Sequence, residues 1–180
     1  MVRATWLAPL IGAALLAAGC GGSSESATTK WFDNVCGAVT SWQDSITQAG
    51  QTLKDNPTRD GVESAYGDAK DATNTLADDL KSAGKPDTQA GDQAKQELDT
   101  LAGELGDGVS QMEDAVKGVS SVSEALTAVS AVSGTLATMS TEISTTVDNL
   151  RNLDTQGELQ KSFNEADACA PLRSSTTSTS

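Results

Sequence analysis

The chain has 180 residues, with 12 Lys plus Arg against 25 Asp plus Glu, a formal net charge of −13 and no histidine. Such a balance repels nucleic acid and anionic lipid surfaces. The missing imidazole removes the commonest general base, the Ser-His and Cys-His nucleophile systems and most transition-metal sites, including the Glu-x-x-His di-iron bundle.

The first element in chain order is an apolar run from Trp6 to Ala18, preceded by Arg3 and closed by Leu15-Leu16-Ala17-Ala18-Gly19-Cys20. A charged start, a short apolar stretch and a small-residue end form the pattern of an export signal. Pro9 and Gly12 interrupt the run, which falls short of the about 20 residues a membrane span needs. Cleavage of an ordinary signal would also accept Ala17 and Gly19. The cysteine directly after Gly19 resembles the lipobox of bacterial lipoproteins, with Ala17 standing where that family more often has Leu. The resemblance implies a signal peptide at 1–19, and Cys20 carrying diacylglycerol and an acyl chain. It implies attachment to the outer face of a bacterial cytoplasmic membrane, with residues 20–29 as a flexible tether. The whole chain, rich in Ala, Gly, Thr and Asp, is similar in composition to small exported helical lipoproteins of actinobacteria.

Beyond the tether the core is thin: Leu, Ile, Val and Phe make up 26 of the 161 residues from Cys20 onward. That is below the roughly 20% level at which a charged chain risks remaining unfolded. Helical periodicity with alanine compensates. The first stripe runs Trp31, Val35, Val39, Trp42, Ile46, Ala49, Leu53, and Asn56-Pro57 stops it because the residue before proline avoids the helical region. Asp60 with Glu63 offers an acidic restart. A second stripe follows through Val62, Ala65, Tyr66, Ala69, Thr73, Leu76 and Leu80, ending at Gly84-Lys85-Pro86-Asp87, with Asp87 as the next cap. The third runs Ala94, Leu98, Leu101, Leu105, Val109, Met112, Val116 and stops at Gly118.

Ser121 and Glu124 read as a capping box for the fourth helix. Its stripe is Val122, Leu126, Val129, Val132, Leu136, Met139, Ile143, Val147, Leu150, an average spacing close to the 3.5 residues of coiled-coil packing. Thr155 with Glu158 resembles a second capping box, opening a short helix through Leu159 and Phe163 towards Cys169. Residues 173–180 form a Ser/Thr tail with nothing to bury and are expected to be disordered. The predicted fold is all-α: an up-down-up-down bundle of four long helices plus a short C-terminal helix over residues 30–172.

If Cys20 carries lipid, Cys36 and Cys169 remain as an even pair, and outside the cytoplasm such a pair tends to oxidise. Buried free thiols and a bridge between chains are the other ways to dispose of it. An even number of long helices returns the chain to its starting end, where the short fifth segment can carry Cys169 to Cys36. A helix running unbroken through Gly118 would finish far away.

No phosphate loop, glycine-rich dinucleotide turn or calcium loop is present. The scattered glycines Gly103, Gly106 and Gly108 read as close helix approach or local weakness. The acidic pairs Asp68/Asp71 and Asp78/Asp79 read as a solvated face. Trp31, Phe32 and Trp42 hold three of the five aromatics after Cys20. Core packing beside Cys36 is the simpler role for them; contact with a ligand or partner is the sharper one. The sequence therefore predicts a lipid-anchored helical interaction or accessory module of the cell envelope, without catalysis, cofactor or metal, and with an unidentified envelope protein as partner. Binding of an apolar small molecule or lipid between the helices is the alternative, since a core of Ala, Ser, Thr and Gly could leave space for one. A second copy pairing along the fourth helix is a further possibility for its oligomeric state.

Overall fold

A computed structural model describes residues 26–56 and 58–175. The signal segment, Cys20, most of the tether and the last residues of the tail lie outside the described residues. Residues 173–175, expected to be disordered, instead complete the last helix, with Arg173 donating to the Phe163, Asn164 and Ala166 carbonyls. Every regular element among those described is helical: α1 (Ala27–Asp55), α2 (Arg59–Ser82), α3 (Gly91–Val116), α4 (Val122–Asn152), α5 (Glu158–Glu165), a 3-10 turn at Asp167–Cys169, and α6 (Ala170–Ser175). The chain is thus an all-α bundle of four long helices with a short helical C-terminus.

Local chemistry sets the boundaries, in places differently from the sequence expectation. Ser26 caps α1, accepting the Thr29 N–H at 3.0 Å, so the helix starts inside the expected tether and buries Thr28 and Thr29. Thr58, rather than the Asp60/Glu63 pair, caps α2, while Glu63 turns back to Arg59 at 2.8 Å. Asp87 caps nothing; α3 begins at Gly91 after a turn, with no side-chain cap. Ser121 and Glu124 do form the reciprocal capping box. Thr155 and Glu158 do not, because Gly157 takes the left-handed conformation (φ 74°) before α5. Asp154 supplies the missing acceptor, receiving the Leu159 N–H at 3.0 Å.

Consecutive helices pack in order, α1 on α2, α2 on α3 and α3 on α4. Phe32, Leu76, Leu80, Leu98, Leu101, Leu105, Met112, Met139, Ile143, Leu150, Leu159 and Phe163 fill the interior with no more than 2% exposure. Gly108 permits close approach of α3 to α4, since a Cβ there would run into the Met139 side chain. Gly103 and Gly106 face open space instead. Gly118 (φ 78°) makes the α3–α4 turn that an L side chain would resist.

The seam between α1 and α4, which would complete the ring, is filled from one end only. There α5 and the 3-10 turn pack against α1, and α5 also packs against α4. Phe163 meets Phe32 edge-on at 5.6 Å, and Phe32 meets Trp31 at 4.8 Å. The Ala168 N–H donates to Asp33 at 2.9 Å. Cys36 and Cys169 are joined in a disulfide with Cα atoms 5.0 Å apart. The pair assigned from the cysteine count is therefore an intramolecular bridge.

One expectation fails along α4. Leu150, Val147, Ile143 and Met139 are buried, Leu136, Val132 and Val129 are half-buried, and Leu126 and Val122 are 66% and 77% exposed. A straight α-helix drifts about 20° per heptad against a 3.5-residue repeat. Over four heptads that is about 80°, enough to rotate the stripe out of the core. Ala125 and Ala128 take its place there.

Removing the bridge with Cys36→Ala and Cys169→Ala should cost at most about 4–5 kcal/mol, from the loop entropy of a crosslink spanning 133 residues. Thermal melting followed by circular dichroism should show the midpoint falling by on the order of 10 °C. An unchanged midpoint would mean the wedge holds without its covalent tie.

Candidate functional site

The exposed half of the α4 stripe forms one wall of a groove. The last turns of α1 contribute Gly50, Leu53 and Lys54; the start of α2 contributes Thr58, Arg59 and Val62. From the α3–α4 turn and α4 come Ser120, Ser121, Val122, Ala125, Leu126 and Val129. The cavity measures about 470 Å³. It continues past Gly50, Leu53, Val62 and Val129 into a second compartment of about 270 Å³, walled by Ile46, Ala49, Ala65, Tyr66, Ala69, Val132 and Leu136. From Val122 to Leu136 the slot follows roughly 21 Å of α4 at 1.5 Å per residue.

The groove exists because the distal end of the bundle has little to fill it. Its local core is a separate small cluster of Val62, Val119, Ala125 and Ala128, with Leu53, Val116 and Val129 packed against it. Among the described residues, nothing equivalent to α5 wedges between α1 and α4 here. The two turns that frame the mouth, Lys54–Asp60 and Gly118–Ser121, lie at the end of the bundle opposite Ser26.

The charged residues lining the groove are Lys54 and Arg59, both basic, in a strongly acidic chain. Arg59 is held by Glu63, whose hydrogen bond and charge raise the guanidinium pKa. Lys54 takes part in none of the ion pairs among the described residues. Glu124 accepts the N–H groups of Ser120 and Ser121 and the Ser120 hydroxyl at 2.8–2.9 Å. Those bonds, above all to Ser120, lower its pKa from 4.5 to about 2. At the inner compartment, burial pushes the Tyr66 hydroxyl up against the opposing pull of Lys70. The Tyr66 hydroxyl oxygen is buried without a hydrogen-bond partner.

Trp31, Phe32 and Trp42 are elsewhere, buried in the main core beside the disulfide. The Trp31 indole N–H donates to the Gly84 carbonyl at 3.3 Å, and that of Trp42 to the Thr73 hydroxyl at 3.0 Å. The Thr73 hydroxyl in turn donates a hydrogen bond to the Ala69 carbonyl at 2.7 Å, which explains a polar residue at full burial in the α2 stripe. The acidic pairs Asp68/Asp71 and Asp78/Asp79 are all exposed. No group of three or more carboxylates or cysteines among the described residues could hold a metal ion. The arrangement offers an apolar slot with a basic rim.

Sequence reading assigned the groove's α4 wall to the core. A signal was available in the run Ala125–Thr141, which contains no charged residue; polarity there leaves the inward face undefined, and only the helical drift selects Ala125 and Ala128. The comparisons give no family: no family model, curated protein or solved structure matches the chain significantly.

Two variants check these assignments. Trp42→Ala should destabilise the bundle by about 3–5 kcal/mol, seen in denaturant unfolding; an unaltered midpoint would contradict a packing role. Glu124 has a folded pKa below its ordinary value, so its stabilisation is complete above pH 4.5 and fades as the pH falls towards 2. Glu124→Gln should therefore flatten the acid side of the melting-temperature profile between those values, while a profile parallel to wild type would show that the box contributes nothing.

Proposed function

We propose that this chain is a lipid-anchored, non-catalytic binding module of the bacterial cell envelope, and that the groove between α1, α2 and α4 is its working surface. The observation carrying this reading is the apolar stripe of α4 left uncovered over a cavity of about 470 Å³. Ligand sites are typically concave, mostly apolar and of 300–1,000 Å³. A concave slot suits an apolar molecule better than the flat face of a scaffold would. Between the two binding roles read from the sequence, this favours capture of an apolar ligand over docking of an envelope protein.

The anchor rests on Arg3, the apolar run and Cys20. No helix among the described residues is long and apolar enough to cross a membrane. α1 begins at Ala27, seven residues after Cys20, so on this reading only a short stretch of chain separates the lipid from the start of α1. The groove mouth at Lys54 lies about 40 Å further along α1, facing away from the bilayer. The net charge gives no reason for the domain to lie down on anionic lipid.

Replacing Cys20 by Ser should move the full chain from the membrane fraction to the soluble fraction on cell fractionation. Detergent-free, that variant should enhance the fluorescence of the uncharged apolar dye diphenylhexatriene, and adding Leu126→Asp should remove the enhancement. Membrane retention of Cys20→Ser would defeat the anchor, and dye binding indifferent to Leu126→Asp would defeat the groove.

A further inference from the structure

The rim of the groove specifies more than an apolar occupant. We propose that the groove holds a single-chain anionic amphiphile, an acyl tail with a carboxylate or phosphate head, with the tail along α4 and the head at Lys54 and Arg59. This inference rests on the groove being a ligand site and adds the chemistry of the ligand.

Three features point to it. The slot is elongated, with two adjoining compartments that follow α4 from Val122 to Leu136 and apolar side chains of α1 and α2 opposite. A single extended tail fits that shape, whereas a globular apolar molecule would use only the outer compartment. Second, the polarity is graded along the slot. Ile46, Ala49, Val132 and Leu136 wall the inner end, and all charged lining residues, Lys54 and Arg59, are at the mouth. Third, the sign is the reverse of the molecule's own: a chain with 25 acidic and 12 basic residues lines this mouth with basic groups alone. Of the neighbouring acids, Glu63 is engaged with Arg59 and Glu124 with Ser120 and Ser121, while Asp55 and Asp60, next to Lys54 and Arg59 in the chain, do not line the groove. Lys54 is left without an ion-pair partner among the described residues, available to a head group. The same acidic surface disfavours a second copy as the cover, because two chains of net charge −13 repel.

The test uses the full chain with Cys20→Ser, titrated with cis-parinaric acid and, in parallel, with its uncharged methyl ester. Fluorescence should report the acid binding about tenfold more tightly than the ester, the scale expected of two exposed charge contacts. Lys54→Gln with Arg59→Gln should abolish the preference and leave ester binding unchanged; both residues are exposed at helix ends, so the fold tolerates the change. Leu126→Asp should weaken both ligands, and its residue is exposed enough that melting should stay as in wild type. Equal binding of acid and ester would overturn the anionic head while leaving the groove as an apolar site. Binding of neither would overturn both. A dimer in light scattering that Leu126→Asp dissociates would show instead that a second copy covers the groove.

Discussion

The architecture depends on the wedge that the C-terminal segment drives between α1 and α4. A four-helix ring closes when its first and last helices pack together, and here α1 and α4 have at most marginal direct contact. Leu159, Phe163 and Cys169 take the space that direct α1–α4 packing would have used, and the disulfide fixes them against α1. Leu172 of α6 extends the filling as far as Val39 and Ile143. Past that point the two helices are held apart by a wedge that no longer lies between them. The groove therefore opens where the wedge ends and where the distal core is only a small cluster of valine and alanine.

The composition decides what such an opening looks like. With few large apolar residues, the chain concentrates them where the wedge and the main core are, and the distal end makes do with valine and alanine. The α4 helix solvates its exposed face without charge. Hydroxyls of Thr127, Thr135, Thr138, Thr141 and Ser144 each donate to the carbonyl four residues earlier. Satisfied in this way, they carry little polar demand beside Val122, Leu126 and Val129. Within the groove lining, charge is found only at the end of α1 and the start of α2, which is why the slot has a neutral wall and a basic mouth.

Much of this was readable from residues alone, for reasons that differ by element. Stripes at three- and four-residue spacing located all four long helices, because burial of one face is a local property of the pattern. Ser121-Glu124 and Gly118 were legible since each satisfies its backbone demand within a few residues. Asp87 and Thr155 misled because side-chain identity does not fix where the turn's own backbone bonds end: Thr88 and Gly91 close the first turn through Pro86 and Thr88 carbonyls. The Cys36–Cys169 bridge followed from counting once Cys20 was set aside. The aromatics Trp31, Phe32 and Trp42 drew attention by chemical type, yet the indole partners are distant in sequence, Thr73 within α2 and Gly84 just past its end. The fate of Val122 and Leu126 was the hardest to foresee. It turns on an angular drift summed over four heptads and on the wedge, and both are properties of the whole assembly.

The drift also argues against reading the uncovered stripe as a defect. A helix whose apolar positions follow a 3.5-residue repeat would keep them on one face by supercoiling around its neighbours. The α4 helix approaches α3 closely at Gly108 and Met139, and its apolar stripe passes from burial at Leu150 to exposure at Val122. The apolar positions then diverge from the protein interior but not from one another, remaining a continuous line from Met139 to Val122. A line of that kind, half in the core and half in the groove, lets an occupant extend the interior packing of α4 without rearranging it. On the proposed anchoring, the same helix places that line across the bundle from the membrane end to the distal mouth. Filling the groove should therefore rigidify the seam that the disulfide leaves open, so occupancy at one end and covalent closure at the other would act on the same pair of helices.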